Sequence, residues 1–157
     1  MAAEGKRRIA VIGNGIIGHG IAEIFACGGW QVILVGRSKA SLAAALDKIA
    51  ASLALFETHG LVNAAQKAAA LAVIATTTSL DDAAPAEFVI EAVPEDMELK
   101  RRIFARLDEI CAPRTILASS SGHLVSELVD RVKHLARRDG TLLVSASPPM
   151  VRSPRSS

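Results

Sequence analysis

The run Gly13-Asn14-Gly15-Ile16-Ile17-Gly18 places three glycines at the spacing G-x-G-x-x-G. The chemistry this spacing can do is to hold a pyrophosphate on main-chain amides. Gly13 permits a tight turn. Gly15 has no Cβ, so the backbone can approach phosphate oxygens, and Gly18 lets a following helix lie close on the preceding strand. Unpaired amides at the helix start, with the partial positive charge of the helix dipole, complete an anion site. Glycine triplets occur in many turns, so the flanking elements must decide.

Those elements agree with a binding turn. Ile9-Ala-Val-Ile12 is a short apolar run that ends at Gly13, as a buried parallel strand does. From Gly15 to Ala26 the apolar residues Ile17, Ile21, Ile24 and Phe25 recur at helical spacing, and Gly28-Gly29 stops the helix. Gln31 to Val35 is a second apolar strand. Strand, glycine turn, helix and strand in this order meet the condition for a dinucleotide fingerprint. The alternative is a purely structural strand–helix turn.

The end of the second strand selects the dinucleotide. An acidic residue there would bond the adenine-ribose hydroxyls of NAD, but this chain has Gly36 then Arg37, with no Asp or Glu before Asp47. A glycine leaves room and an arginine offers a charge partner for a 2′-phosphate, so these residues lean to NADP. The alternative is that Arg37 is a solvated turn residue.

Further along, Ser38 is placed to cap a helix to about Thr58, with Leu42, Leu46, Ile49, Leu53 and Phe56 on one stripe. Asn63 starts an alanine-rich helix to Leu71, and Val73-Ile-Ala-Thr76 is a third strand. Phe88 to Val93 is a fourth strand stopped by Pro94, Asp96 to Ile110 a helix, and Thr115-Ile-Leu-Ala118 a fifth strand. Strands alternating with helices predict an α/β fold, a doubly wound parallel sheet of the Rossmann type.

Composition bounds the rest. The chain has 157 residues, half of them apolar, so it can bury one substantial core. A net charge of +2 and scarce aromatics give no nucleic-acid signature. No apolar run reaches the length of a membrane span, and no secretory signal opens the chain; a cytoplasmic domain is expected. Cys27 and Cys111 are expected in helices as buried free thiols, and no metal site is expected.

Gly13 to Gly20, Val89-Ile-Glu-Ala-Val-Pro-Glu95, Leu99-Lys100 and Ile116-Leu-Ala-Ser-Ser-Ser121 together resemble the NAD-binding domain of the 3-hydroxyacyl-CoA dehydrogenase family. That family also includes 3-hydroxybutyryl-CoA, carnitine and gulonate dehydrogenases. The resemblance runs from about Lys6 to Leu128, and its most specific part is Ile90-Glu-Ala-Val-Pro-Glu-Asp96. It implies hydride transfer from the C3 hydroxyl of an acyl substrate, acyl-CoA or a hydroxy acid, to NAD. It also implies that Glu95 and Lys100 line the cofactor site and that Ser52 meets the CoA moiety. By themselves these residues read as helix N-terminal charge, a solvated lysine and a helix-face serine.

The departures are local. The family's catalytic histidine, in a His-x-x-Asn-Pro segment, falls at Val144 when Pro148-Pro149 are matched to that segment. The serine that bonds the substrate oxygen falls at Gly122, beside Ser121. Residues 1–133 form the expected dinucleotide-binding domain; residues 134–157 form an atypical end with one more strand at Thr141 to Val144 and a loose tail. The helical substrate domain of the family would lie beyond this end. The expectation is therefore a truncated or frame-shifted relative that is catalytically incomplete alone, with a non-catalytic dinucleotide-binding module as the alternative reading. Apolar surface left without that domain predicts self-association.

Overall fold

A computed structural model describes residue 5 and residues 7–120. Ser121, Gly122, Val144, the sixth strand expected at 141–144 and the tail all lie outside the described residues.

Five short apolar runs form the strands β1 (Arg8–Ile12), β2 (Gln31–Val35), β3 (Ile74–Thr77), β4 (Phe88–Glu91) and β5 (Ile116–Ser119). All neighbouring pairs are parallel and the order is β3-β2-β1-β4-β5. The chain therefore winds outward from β1 in both directions, the doubly wound arrangement. Its switch point lies between β1 and β4, where a crevice opens at the carboxyl ends of the strands.

Alternation along each strand feeds two cores. Ile9 and Val11 of β1 join Val32, Leu34, Ile49 and Leu53 under the helices α1 (Ile16–Cys27), α2 (Lys39–Thr58) and α3 (Ala64–Ala72). Ala10 and Ile12 join Val89, Phe104, Leu107 and Leu117 under α4 (Met97–Ile110). Burying each large apolar side chain contributes about 1.5–3 kcal/mol. Central β1, covered on both faces, is the anchor from which the turn at Gly13 projects.

The cap expected at Ser38 forms, and Asn63 and Asp96, read only as helix starts, prove to be caps as well. Ser38 Oγ accepts from the Ser41 amide at 3.1 Å, Asn63 and Gln66 make a reciprocal capping box, and Asp96 Oδ1 accepts from the Leu99 amide at 3.1 Å. Other details differ from the sequence reading. The first helix begins at Ile16, with Gly15 as its N-cap. Strand β3 runs one residue later than expected because Val73 ends α3. Strand β4 stops at Glu91, whose carboxylate takes the Val93 amide at 2.8 Å and turns the chain out of the ladder. Strand β5 spans Ile116–Ser119 instead of starting at Thr115, whose hydroxyl bonds the Ala86 carbonyl. A 3-10 turn at Leu80–Ala83 was not foreseen.

The apolar stripe read along α1 is half buried and half exposed. Its buried side is Gly18, Ala22, Glu23 and Ala26, while Ile17 and Ile24 are exposed. Ile21 and Phe25 of the same stripe pack against the core, Phe25 stacking on Phe88, while close packing at Gly18 leaves no room for Ile17. Cys27, at the helix end, is exposed, and only Cys111 is buried. Among the described residues no helix is long and apolar enough to cross a membrane.

Candidate dinucleotide-binding site

Each turn glycine has a measurable reason. Gly13 has φ +105°, and a Cβ there would stand 2.7 Å from the Ala92 carbonyl oxygen. Its amide donates to Val35 O at 2.8 Å, which ties the turn to the end of β2. A Cβ on Gly18 would fall 1.9 Å from the Gly13 carbonyl oxygen, so any side chain would push α1 off the strand. Gly15 differs: a Cβ there would meet nothing within 4 Å. The protein leaves that space open, as a turn built around a ligand requires.

The start of α1 is bare. No side chain caps its amides and no acidic residue stands in its first turn. His19 turns back on the same loop, with Nδ1 2.6 Å from the Gly15 carbonyl oxygen. With the Gly13 amide taken by Val35 O, the amides at the start of α1 stay available for an anionic acceptor.

These groups edge a cleft of about 710 Å³ at the carboxyl ends of β1, β2 and β4. Gly13, Asn14, Gly15, Ile16 and Ile17 line it from the turn, and Gly36 and Arg37 from the end of β2. Ala92, Val93, Pro94 and Leu99 close the β4 side with apolar surface. Ser41, Ala44, Ala45 and Lys48, at i, i+3, i+4 and i+7 of α2, present one helical stripe to it. Sequence reasoning missed this stripe, although that spacing after Ser41 could have found it. Gly36 needs a new explanation. The sequence suggested that it leaves room for a ligand, but a Cβ there would stand 2.7 Å from Leu42 Cδ2 and 2.9 Å from Asn14 Cγ. Packing demands the glycine.

Glu95 and Lys100 do not line this cleft. Lys100 is 1% exposed, so it is not the solvated helix lysine its neighbours suggested. Its Nζ lies 3.4 Å from Glu91 Oε1 and 3.2 Å from Glu95 Oε1. Glu91 is wholly buried; it accepts from Val93 N and, at 2.5 Å, from Ser119 Oγ. A buried lysine demands such pairing. Glu91 was also missed, and its signal was an acid within the apolar run Phe88 to Val93. Ser52, outside the cleft, donates to Glu23 Oε1 at 2.7 Å and links α2 to α1. Among the described residues no cluster of three or more His, Cys, Asp or Glu could hold a metal ion.

The strand order, the bare helix start and the open glycine turn together define a doubly wound dinucleotide-binding domain. A family model described as 3-hydroxyacyl-CoA dehydrogenase, NAD binding domain, matches residues 8–147, and the chain belongs to that family of NAD-binding domains. It is 34% identical over 143 residues to 3-hydroxyadipyl-CoA dehydrogenase of Escherichia coli, covering 90% of this chain and 30% of the relative. It is 35% identical over 127 residues to 3-hydroxybutyryl-CoA dehydrogenase of Clostridioides difficile, covering 80% of this chain and 45% of that protein. The solved structure of 3-hydroxybutyryl-CoA dehydrogenase from Escherichia coli superposes with TM-score 0.80 at 34% identity, over 85% of this chain and 28% of that one. The chain thus spans less than half the length of these relatives.

Proposed function

We propose that this chain is the cofactor-holding part of an oxidoreductase that converts 3-hydroxyacyl groups, as acyl-CoA or hydroxy acid, to 3-oxoacyl groups. The observation that carries the reading is the open space at Gly15 beside uncapped α1 amides. When bound, NAD supplies the hydride acceptor. The chain's part is to hold the pyrophosphate on the amides of residues 14–18 and to flank the remainder with Gly36, Arg37 and the apolar β4 side. Glu95 serves the edge of this site from outside the cleft, with buried Lys100 behind it holding its carboxylate, and Ser52 serves the CoA moiety. Residues 1–133 act as the dinucleotide-binding domain. Substrate-oxygen contacts belong to the segment around Ser121, and the reaction belongs to fatty acid metabolism in the cytoplasm.

Calorimetry with NADH, comparing the wild-type chain with Gly15→Val, tests the binding reading. The variant should fold normally, because a Cβ at this position meets nothing within 4 Å and the backbone there, φ −73°, suits any residue, and should lose at least about tenfold in affinity, ~1.4 kcal/mol. Unchanged affinity would defeat the assignment. A second reading, a non-catalytic dinucleotide-binding module, is favoured by the placement of the family histidine at Val144. Acetoacetyl-CoA with NADH, followed at the nicotinamide absorbance band, separates the two: turnover supports the enzyme, binding without turnover the module. Self-association, supported by exposed side chains such as Ile24, is checked by sedimentation over a concentration series.

A further inference from the structure

Readers of NAD place a carboxylate at the end of β2, where it bonds the ribose hydroxyls and repels a 2′-phosphate. Here that place is Gly36, and the space a side chain would need is filled. Leu42 Cδ2 and Asn14 Cγ stand 2.7 and 2.9 Å from where its Cβ would be. Asn14 is itself pinned, its Nδ2 donating to Ser41 Oγ at 3.0 Å. The next acid along the chain, Asp47, does not face the cleft, and among the described residues that line it none is acidic. What lines this end instead is positive: Arg37 on the turn after β2 and Lys48 on the α2 stripe. Both are exposed, and among the described residues neither has a carboxylate within ion-pair distance.

We propose that the adenosine end of the cleft takes a ribose bearing a 2′-phosphate, with Arg37 as its main partner and Lys48 as its second. The same site that holds NAD then holds NADP in preference. The inference rests on the dinucleotide reading and concerns only how its ribose is recognised. A guanidinium offers a planar pair of donors to phosphate oxygens, and a lysine adds a point charge. Two uncompensated cations in a cleft without acids attract a dianion more than they attract a ribose hydroxyl.

The test compares ligands that differ only at the 2′ position: NADPH against NADH, and adenosine 2′,5′-bisphosphate against 5′-AMP, by calorimetry on the whole chain. The phosphorylated member of each pair should bind about tenfold tighter, ~1.4 kcal/mol. That preference should shrink as salt is raised through the physiological range. Arg37→Ala should bring the NADPH-to-NADH affinity ratio close to one, and Lys48→Ala should lower it about threefold. Circular dichroism checks that both variants keep the fold, which their exposed positions favour. Equal affinities in the wild type, or a ratio that survives the double variant, would overturn this inference alone. Failure of all four ligands to bind would overturn the dinucleotide reading and this inference with it.

Discussion

Strands β1 and β4 lie side by side in the sheet and end in opposite ways. After β1 the chain turns by leaving side chains out, with glycines where a Cβ would collide with Ala92 or Gly13. After β4 it turns by putting charge in. Buried Glu91 holds the Val93 amide and Ser119, and buried Lys100 answers it from α4. The helices that follow differ in the same sense: α1 starts on Gly15 with no side-chain cap, whereas α4 starts on Asp96 with its amide satisfied. One end of the crevice leaves its helix amides without a side-chain cap, and the other satisfies its polar groups from within the protein. The lesson is that an unsatisfied turn is costly and is retained where something else will satisfy it, while a structural turn is closed by the protein's own groups.

The largest expected effect breaks the charged side. Lys100→Met leaves the Glu91 carboxylate buried without its cation and should cost about 3–5 kcal/mol of stability in urea titration. Adding Glu91→Gln should return a good part of that loss, since no uncompensated charge then stays buried. A double variant as unstable as the sum of the single changes would show that the two side chains act independently. Next comes the glycine side. Gly18→Ala forces α1 away from the Gly13 carbonyl and should cost about 1–3 kcal/mol, together with loss of NADH affinity. The paired loss is the point, because Lys100→Met at the other turn should reduce stability well ahead of nucleotide affinity.

A smaller change sharpens the contrast between the helix starts. Asp96→Ala removes the cap on Leu99 N and should cost about 1 kcal/mol, read as a shift in the urea midpoint. Gly15→Ser, which offers α1 a cap it lacks, should weaken NADH binding instead, because the new hydroxyl would occupy amides meant for phosphate. The smallest effect is in acid. The Arg106 guanidinium donates to both Asp81 oxygens, at 2.9 and 2.7 Å, joining the 3-10 turn to α4. That hydrogen bonding, with the attraction of the charge, holds the Asp81 carboxyl below its ordinary value of 3.8. A carboxyl lowered in the folded state adds stability above pH 3.8, and that stability fades as pH falls further, through its lower folded value. Asp81→Asn should therefore lower the melting temperature slightly at pH 6 and flatten the acid limb of the curve. The exposure of the pair and screening by salt keep this effect small.

Much of the fold was legible because it rests on local rules. Five apolar runs became five parallel strands, Ser38 became the cap it was read as, and the helix starts at Asn63 and Asp96 held, since a cap needs only its own amides three residues on. The glycine turn was legible for the same reason. The face of α1 was not. Hydrophobic spacing pointed to Ile17, Ile21, Ile24 and Phe25, of which Ile21 and Phe25 reach the core, while Ile17 and Ile24 are exposed beside the buried Gly18, Ala22 and Ala26. Cys27 followed that error, since its exposure depends on where the helix lies and not on its neighbours in the chain.

Sequence alone determined that a strand ends in a glycine turn that opens a helix, that the sheet is parallel, and to which family the chain is similar, because period, glycine placement and caps are short-range properties. Only the tertiary structure decided three things. It set Lys100 between Glu91 and Glu95, partners on another strand and another turn. It assigned the bareness of Gly36 to Leu42 and Asn14. It brought Lys48 and Arg37 to one cleft. Each of these is a meeting of residues from different elements, and burial, collision and charge pairing act through space with no regard for distance along the chain.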